Sequence, residues 1–201
     1  MNEVINHYDQ LIEENNDPVH DPKPLRDYMD QWDGVKFIDA MDLDQGKSVL
    51  EIGVGTGRLA QKTAPNCKEF CGIDISPKTI VRAAENLSSF SNVNLICDDF
   101  LSYAFSMKFD VIYSSLTFMH IKEKQSAIDK VSSLLRKRGV FVLSIDKNQS
   151  EEIDMGNRKI KIYPDTPERI KQTISKANLS LTDEFETEFA HILVAKKASL
   201  V

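Results

Sequence analysis

Gly53, Gly55 and Gly57 stand on alternate positions directly after the strand-like run Val49-Leu50-Glu51-Ile52. The helix-like run Leu59-Ala60-Gln61-Lys62-Thr63-Ala64 follows them. Strand, glycine turn and helix in that order can hold a nucleotide-like ligand where the chain leaves a parallel sheet. Glycine gives the turn its backbone freedom and leaves no side chain to block close approach. Two carboxylates sharpen the motif: Glu51 in the strand end, and Asp74, 17 residues after Gly57. Asp74 lies in Cys71-Gly72-Ile73-Asp74-Ile75-Ser76, where it can accept hydrogen bonds from both hydroxyls of a ribose. Ile75 would then offer an apolar face to a base. The dinucleotide fingerprint G-x-G-x-x-G requires a third glycine at position 58. Position 58 is arginine, and the third glycine comes one residue early.

Two further stretches end in polar chemistry. Leu95-Ile96-Cys97-Asp98-Asp99-Phe100 closes a third strand, and Phe109-Asp110-Val111-Ile112-Tyr113-Ser114 leads into a loop ending at His120. An unperturbed histidine titrates near neutrality, so His120 is a candidate general base toward a hydroxyl or amine. The alternative is that it packs under the helix beginning near Lys122. His7, His20 and His191 have no metal-ligand spacing with one another or with the cysteines, and no metal site is expected. Cys67, Cys71 and Cys97 form no C-x-x-C pair; Cys71 and Cys97 lie on apolar stretches and are expected to be buried, inert thiols in a reducing compartment.

These residues must be positioned by one domain's worth of chain. The 201 residues are 41% hydrophobic and 28% charged, the balance of a globular protein with a sizeable core. A net charge of -6 argues against a general binder of phosphate backbones. The first residues are too acidic and polar for a signal peptide, and no apolar run reaches the roughly 20 residues of a membrane span. A cytoplasmic protein is expected. Residues 3–15 read as an amphipathic helix with Val4, Tyr8, Leu11 and Ile12 at helical spacing. A proline-rich loop follows, then helices over 24–31 and 35–42. This segment reads either as a lid over a ligand or as a cap on a sheet edge.

From residue 48 strands and helices alternate, the signature of a parallel sheet. Strands are expected over 48–52, 69–73, 93–97, 109–114 and 139–145, with helices over 57–64, 77–88 and 123–136. Ser76 suits an N-cap with Pro77 in the first turn, and Gly139 suits a helix stop after Arg136-Lys137-Arg138. A short exposed strand is expected over 158–163, then a helix capped by Thr166 and running to about residue 178. The last two strands, 179–186 and 190–196, are too close for a crossover and must pair antiparallel.

Glu51-x-Gly53-x-Gly55-x-Gly57, then Asp74, then Asp98-Asp99, then the strand and loop 109–120, occur in the order seen in class I S-adenosylmethionine-dependent methyltransferases. The chain resembles that family over roughly residues 47–197. The resemblance implies an α/β, Rossmann-like, mostly parallel seven-stranded sheet with helices on both faces, a C-terminal antiparallel hairpin and an N-terminal helical cap. It divides the chain into a cap or lid, 1–45, and a cofactor-binding domain, 46–201. The implied cofactor is S-adenosyl-L-methionine, leaving as S-adenosyl-L-homocysteine. Its sulfonium and ammonium suit an acidic, phosphate-free site.

By the same resemblance the cofactor-binding residues are Tyr8, Glu51, Gly53, Gly55, Thr56, Gly57, Asp74, Ile75, Asp98, Asp99, Phe100 and Ser114. The glycine turn lies against the methionine and ribose, and Glu51 faces the ammonium. An acid after the third strand accepts from the adenine amino group; the family's usual Gly-Asp pair aligns Asp99 there, with Asp98 in the glycine's place, so the choice between the two stays open. Tyr8 closes over the cofactor or simply packs its helix. The loop 114–120 lines the place where donor and acceptor meet, with His120 the candidate catalytic residue. It lacks the Asn/Asp-Pro-Pro-Tyr/Phe motif of many amino-modifying nucleic-acid methyltransferases. The expected acceptor is therefore a small molecule with an O, N or C nucleophile, without nucleic-acid or membrane partners, the protein being a monomer or homodimer. The rival readings are a non-catalytic adenosylmethionine-binding regulatory module, an RNA or protein methyltransferase on the same fold, and a nicotinamide oxidoreductase.

Overall fold

The computed structural model describes residues 2–198; Met1 and residues 199–201, the outer ends of the two expected segments, lie outside them. Strands β1 (Ser48–Ile52), β2 (Glu69–Asp74), β3 (Val93–Cys97), β4 (Phe109–Ser114), β5 (Leu135–Asp146), β8 (Leu179–Glu186) and β9 (Ala190–Lys197) form one sheet, in the order β3-β2-β1-β4-β5-β9-β8. β3, β2, β1, β4 and β5 run parallel, and β9 pairs antiparallel with both β5 and β8. The strand order reverses between β1 and β4, which opens a crevice at the carboxyl ends of the strands.

Every residue of β1 is buried, as a central parallel strand covered on both faces requires. Its side chains alternate between two cores. Leu50 and Ile52 join Ile112, Phe118, Phe141, Ile128 and Ile170 under α6 (Lys124–Leu134) and α7 (Pro167–Lys176). Val49 joins Phe70, Tyr113 and Val142 on the other face, covered by α3 (Val35–Asp39), α4 (Ala60–Thr63) and α5 (Pro77–Asn86). Phe37 and Met41 are fully buried there, so the third N-terminal helix is part of the core. Before it come α1 (Asn2–Glu13) and α2 (Lys23–Asp33). Among the described residues no helix is long and apolar enough to cross a membrane.

Several local expectations need correction. The helix after the glycine turn, expected over 57–64, is a single turn at Ala60–Thr63, continued by a 3₁₀ turn at Ala64–Asn66 that carries Pro65. Gly139 is not a helix stop. The helix ends at Leu134 and the chain enters β5 at once, because Leu135 is fully buried and pairs with Phe109. Arg136, Lys137 and Arg138 then bulge outward before pairing resumes between Val111 and Val140, with Arg138 at φ +66°. Gly139 is demanded by crowding, since a Cβ there would lie 2.9 Å from the Arg136 carbonyl oxygen. The exposed strand of 158–163 is one half of a hairpin: β7 (Lys159–Lys161) pairs antiparallel with β6 (Glu152–Asp154). Cys97 is exposed, at the end of the edge strand β3, while Cys67 and Cys71 are buried with thiols pushed up to about 11.

Candidate active site

A cavity of about 670 Å³ opens at the carboxyl ends of β1, β2, β3 and β4. Its walls include Tyr8, Glu51, Gly53, Gly55, Thr56, Asp74, Ile75, Asp98, Asp99, Phe100 and His120. Eleven of the thirteen candidate site residues are thus brought together around one space. The other two stand behind it. Ser114 is fully buried and donates its hydroxyl to the Ile52 carbonyl at 2.9 Å, tying β4 to the end of β1. Gly57, at φ +97°, turns the chain against Leu87.

The glycine turn is held from below and open above. The amides of Gly53 and Val54 donate to the Ile73 carbonyl at 2.8 and 3.1 Å. A Cβ at Gly53 would overlap the Thr117 side chain, so the turn and the loop after β4 touch. At Gly55, φ +56°, a Cβ would meet nothing within 4 Å. With only one helical turn after it, this turn offers its own amides rather than a long helix dipole.

Asp74 is fixed by two backbone donors at 3.0 Å, the Gly55 and Ser76 amides. Burial raises its pKa despite these bonds, with the nearby Asp9 adding to the rise. Burial likewise holds the Glu51 carboxyl well above its ordinary range, against the pull of the Tyr113 hydroxyl, which donates to it at 2.8 Å, and of Arg58. A buried acid, Glu51, and a half-buried one, Asp74, in one wall favour a ligand that brings hydrogen-bond donors or a positive charge. Asp98 accepts from the Asp99 amide at 2.7 Å and Asp99 from the Leu101 amide at 3.2 Å, both at the end of β3.

The other half of the cavity is roofed by α1. The Tyr8 hydroxyl lies 2.7 Å from His120 Nε2, with the rings edge to face. Burial pushes the His120 imidazole down to about 4, so it is neutral at pH 7, and its Nδ1 is buried without a partner. Burial also pushes the Tyr8 phenol well up. Leu116, at φ +54°, lines the cavity in a backbone region that a branched side chain rarely adopts. Asp9 holds the roof to the first turn of α5 by accepting from the Ser76 hydroxyl, the N-cap, and the Lys78 amide. On its other side Arg158 bonds Glu14 at 2.7 and 2.8 Å and His7 at 3.1 Å.

Sequence reasoning missed Arg58, which lines the cavity beside Glu51 and is paired with two acids of α2, Asp30 and Asp33. Its place one residue past the last glycine was visible, but its partners lie 25 and 28 residues upstream in a segment without a motif.

A family model described as a methyltransferase domain matches residues 43–190. An uncharacterized methyltransferase of Anoxybacillus flavithermus is 37% identical over 121 residues, 58% of this chain and 56% of the relative. Malonyl-[acyl-carrier protein] O-methyltransferase 2 of Ilyobacter polytropus is 33% identical over 107 residues, 51% of this chain and 40% of the relative. The chain therefore spans about half the length of these relatives or less. Among solved structures, magnesium protoporphyrin IX methyltransferase from Synechocystis with bound S-adenosylmethionine superposes with a TM-score of 0.76 at 17% identity, over 97% of this chain and 95% of that one. That likeness is one of fold.

Proposed function

The chain belongs to the methyltransferase-domain family, and from that premise we propose that it binds S-adenosyl-L-methionine and transfers the methyl group to a small-molecule acceptor. The observation that carries this reading is the open Gly55 position beside the fixed Asp74 carboxylate. A ligand can lie on the backbone there while its ribose hydroxyls donate to the one acid already oriented by two amides.

The residues present suit that cofactor. Glu51, buried with a raised pKa, gains an ammonium partner; Asp74 takes the ribose; Ile75 and Phe100 flank the adenine, with Asp98 or Asp99 accepting from its amino group. S-adenosylmethionine supplies a methyl group already activated on a sulfonium. The protein's part is to align donor and acceptor and to exclude water, which is worth up to roughly 7–11 kcal/mol of barrier. The α1 roof and the tight contact of Gly53 with Thr117 do both. Within the expected cap, residues 1–45, α1 and α2 cover the site while α3 belongs to the core, and a cytoplasmic setting belongs to this reading.

The Tyr8–His120 pair handles the acceptor's proton. A neutral imidazole with so low a pKa is a weak base, and a weak base suffices for a proton that becomes strongly acidic as the new bond to carbon forms. The proton passes through the Tyr8 hydroxyl to His120 Nε2. A carboxylate acceptor would need no such transfer.

The reading is tested by calorimetric titration with S-adenosylmethionine, S-adenosylhomocysteine and NAD. The two adenosyl compounds are expected to bind at micromolar dissociation constants, and NAD not at all. Asp74→Ala is expected to weaken both at least tenfold, as loss of charged hydrogen bonds worth about 1.5–3 kcal/mol each requires. Equal affinity in the variant, or NAD binding to the wild type, overturns the assignment. With an acceptor in hand, His120→Ala should lower kcat by about 10²–10⁴-fold and leave the S-adenosylhomocysteine affinity unchanged.

A further inference from the structure

Asp33, the last residue of α2, is 2% exposed and lies outside the residues matched by the family model. Its two carboxylate oxygens do different things. Oδ2 accepts from Arg58 Nη2, and Oδ1 accepts from the Ser115 hydroxyl. Arg58 Nη1 is held in turn by Asp30 at 3.1 Å, and Lys62 holds Asp30 at 2.6 Å. Arg58 and Ser115 both line the cavity, one just past the glycine turn and the other in the loop after β4. One buried side chain of the N-terminal segment therefore fixes two walls of the site at once.

We propose that Asp33 is a positioning residue that holds the Arg58 guanidinium beside Glu51, so that the two together receive the amino-acid tail of the cofactor. An α-amino acid presents an ammonium and a carboxylate a few bonds apart, and a wall with an acid and a base side by side complements both. A guanidinium has five N–H donors in a fixed fork. Asp30 and Asp33 take one each, which leaves donors for a ligand carboxylate and sets the plane in which they point. Glu51 and Arg58 lie close enough that each shifts the other's titration, the acid downward and the base upward. Without Asp33 the arginine would keep its charge but lose its orientation, and Ser115 would lose the partner that holds the acceptor loop against α2.

This inference rests on the adenosylmethionine reading above, and the test separates their failures. The probes are S-adenosylhomocysteine and 5′-methylthioadenosine, which has the adenosine and thioether but no amino-acid tail. Both are titrated calorimetrically into the wild type, Asp33→Asn, Ser115→Ala and Arg58→Lys. Asn keeps the shape of Asp33 and an acceptor for Ser115 while removing the charge that orients the arginine. In Asp33→Asn and Arg58→Lys, S-adenosylhomocysteine is expected to bind about tenfold more weakly with 5′-methylthioadenosine unchanged; Ser115→Ala is expected to move the tailed ligand alone, by about two- to threefold. An unchanged ratio of the two affinities in Asp33→Asn overturns the proposal. So does a parallel loss of both ligands, which marks Asp33 as holding the fold and nothing more. If Asp33→Asn does not fold, the ratio in Arg58→Lys and Ser115→Ala decides in the same way. Failure of S-adenosylhomocysteine to bind the wild type instead sinks the cofactor assignment itself; 5′-methylthioadenosine, where its heat is small, is read by its displacement of S-adenosylhomocysteine.

Discussion

A methyl group added at Gly53 would overlap Thr117, whereas one added at Gly55 would stand in open space inside the cavity. The two glycines of one motif are therefore needed for different reasons, and substitution should separate them. Gly53→Ala is expected to destabilise the fold, because the turn and the loop after β4 cannot both keep their places. Gly55→Ala costs only the strain of a left-handed alanine, about 1–2 kcal/mol, while its methyl blocks the ligand. Thermal melts and S-adenosylhomocysteine titration on the two variants check this, with the melt changed most in the first and the affinity most in the second. His120 carries a pH signature. Its folded-state pKa is pushed down from 6.5 to about 4, so the unfolded chain binds the proton more readily. Stability is then complete above pH 6.5 and falls as the pH drops toward 4. The melting temperature should decline across that window, and His120→Gln should flatten the decline in part; His7, whose pKa burial also lowers, accounts for a further share. At this scale the glycines and Asp74 were legible because their spacing is local. Arg58 and Asp33 were not, because only folding brings them together.

The wall around His120 is set by elements rather than by single contacts. Lys124, at the start of α6, forms an ion pair with Asp165 at 2.5 Å, with side-chain exposures of 11% and 3%. Its ammonium also donates to the Phe118 and Tyr163 carbonyls, which binds the 3₁₀ turn at Phe118–His120 to the chain that follows β7. Removing one partner of such a pair leaves a charge stranded, so Lys124→Met should cost about 3 kcal/mol, read from urea unfolding. All five parallel strands and the C-terminal hairpin were legible from alternation, glycine and cap signals. The β6–β7 hairpin was half legible: Ile160 sits among charges at strand spacing, but its partner run, Glu151-Glu152-Ile153-Asp154, offers a single apolar residue. The end of α6 was misplaced because basic residues and a glycine are the signs of a helix stop. Burial of Leu135 in the sheet outweighed them.

Over the whole molecule, the cavity floor is made by the parallel sheet and its roof by α1, and the two are joined differently. Val49, Leu50 and Ile52 are buried in continuous cores. α1 is held instead by hydrogen bonds and by ion pairs at the surface, Lys78 with Glu13 and Arg158 with Glu14. Exposed pairs contribute about 0–1 kcal/mol each, so the roof should open far more often than the sheet unfolds. Hydrogen exchange on Arg158→Ala is expected to speed up the α1 amides a few-fold and leave β1 and β4 unchanged. The roof also has its partners late in the chain. Glu14 waits for Arg158, Tyr8 for His120, and Trp32 for Thr187, which donates to its carbonyl at 2.9 Å, and for Phe189, whose ring stacks on it at 5.0 Å. A chain leaves the ribosome N-terminus first, at about 5–20 residues per second. α1 and α2 thus emerge before all that they grip, and in each new molecule the ligand floor, complete at the end of β4, waits some seconds for Arg158, Thr187 and Phe189 to fasten the roof fully.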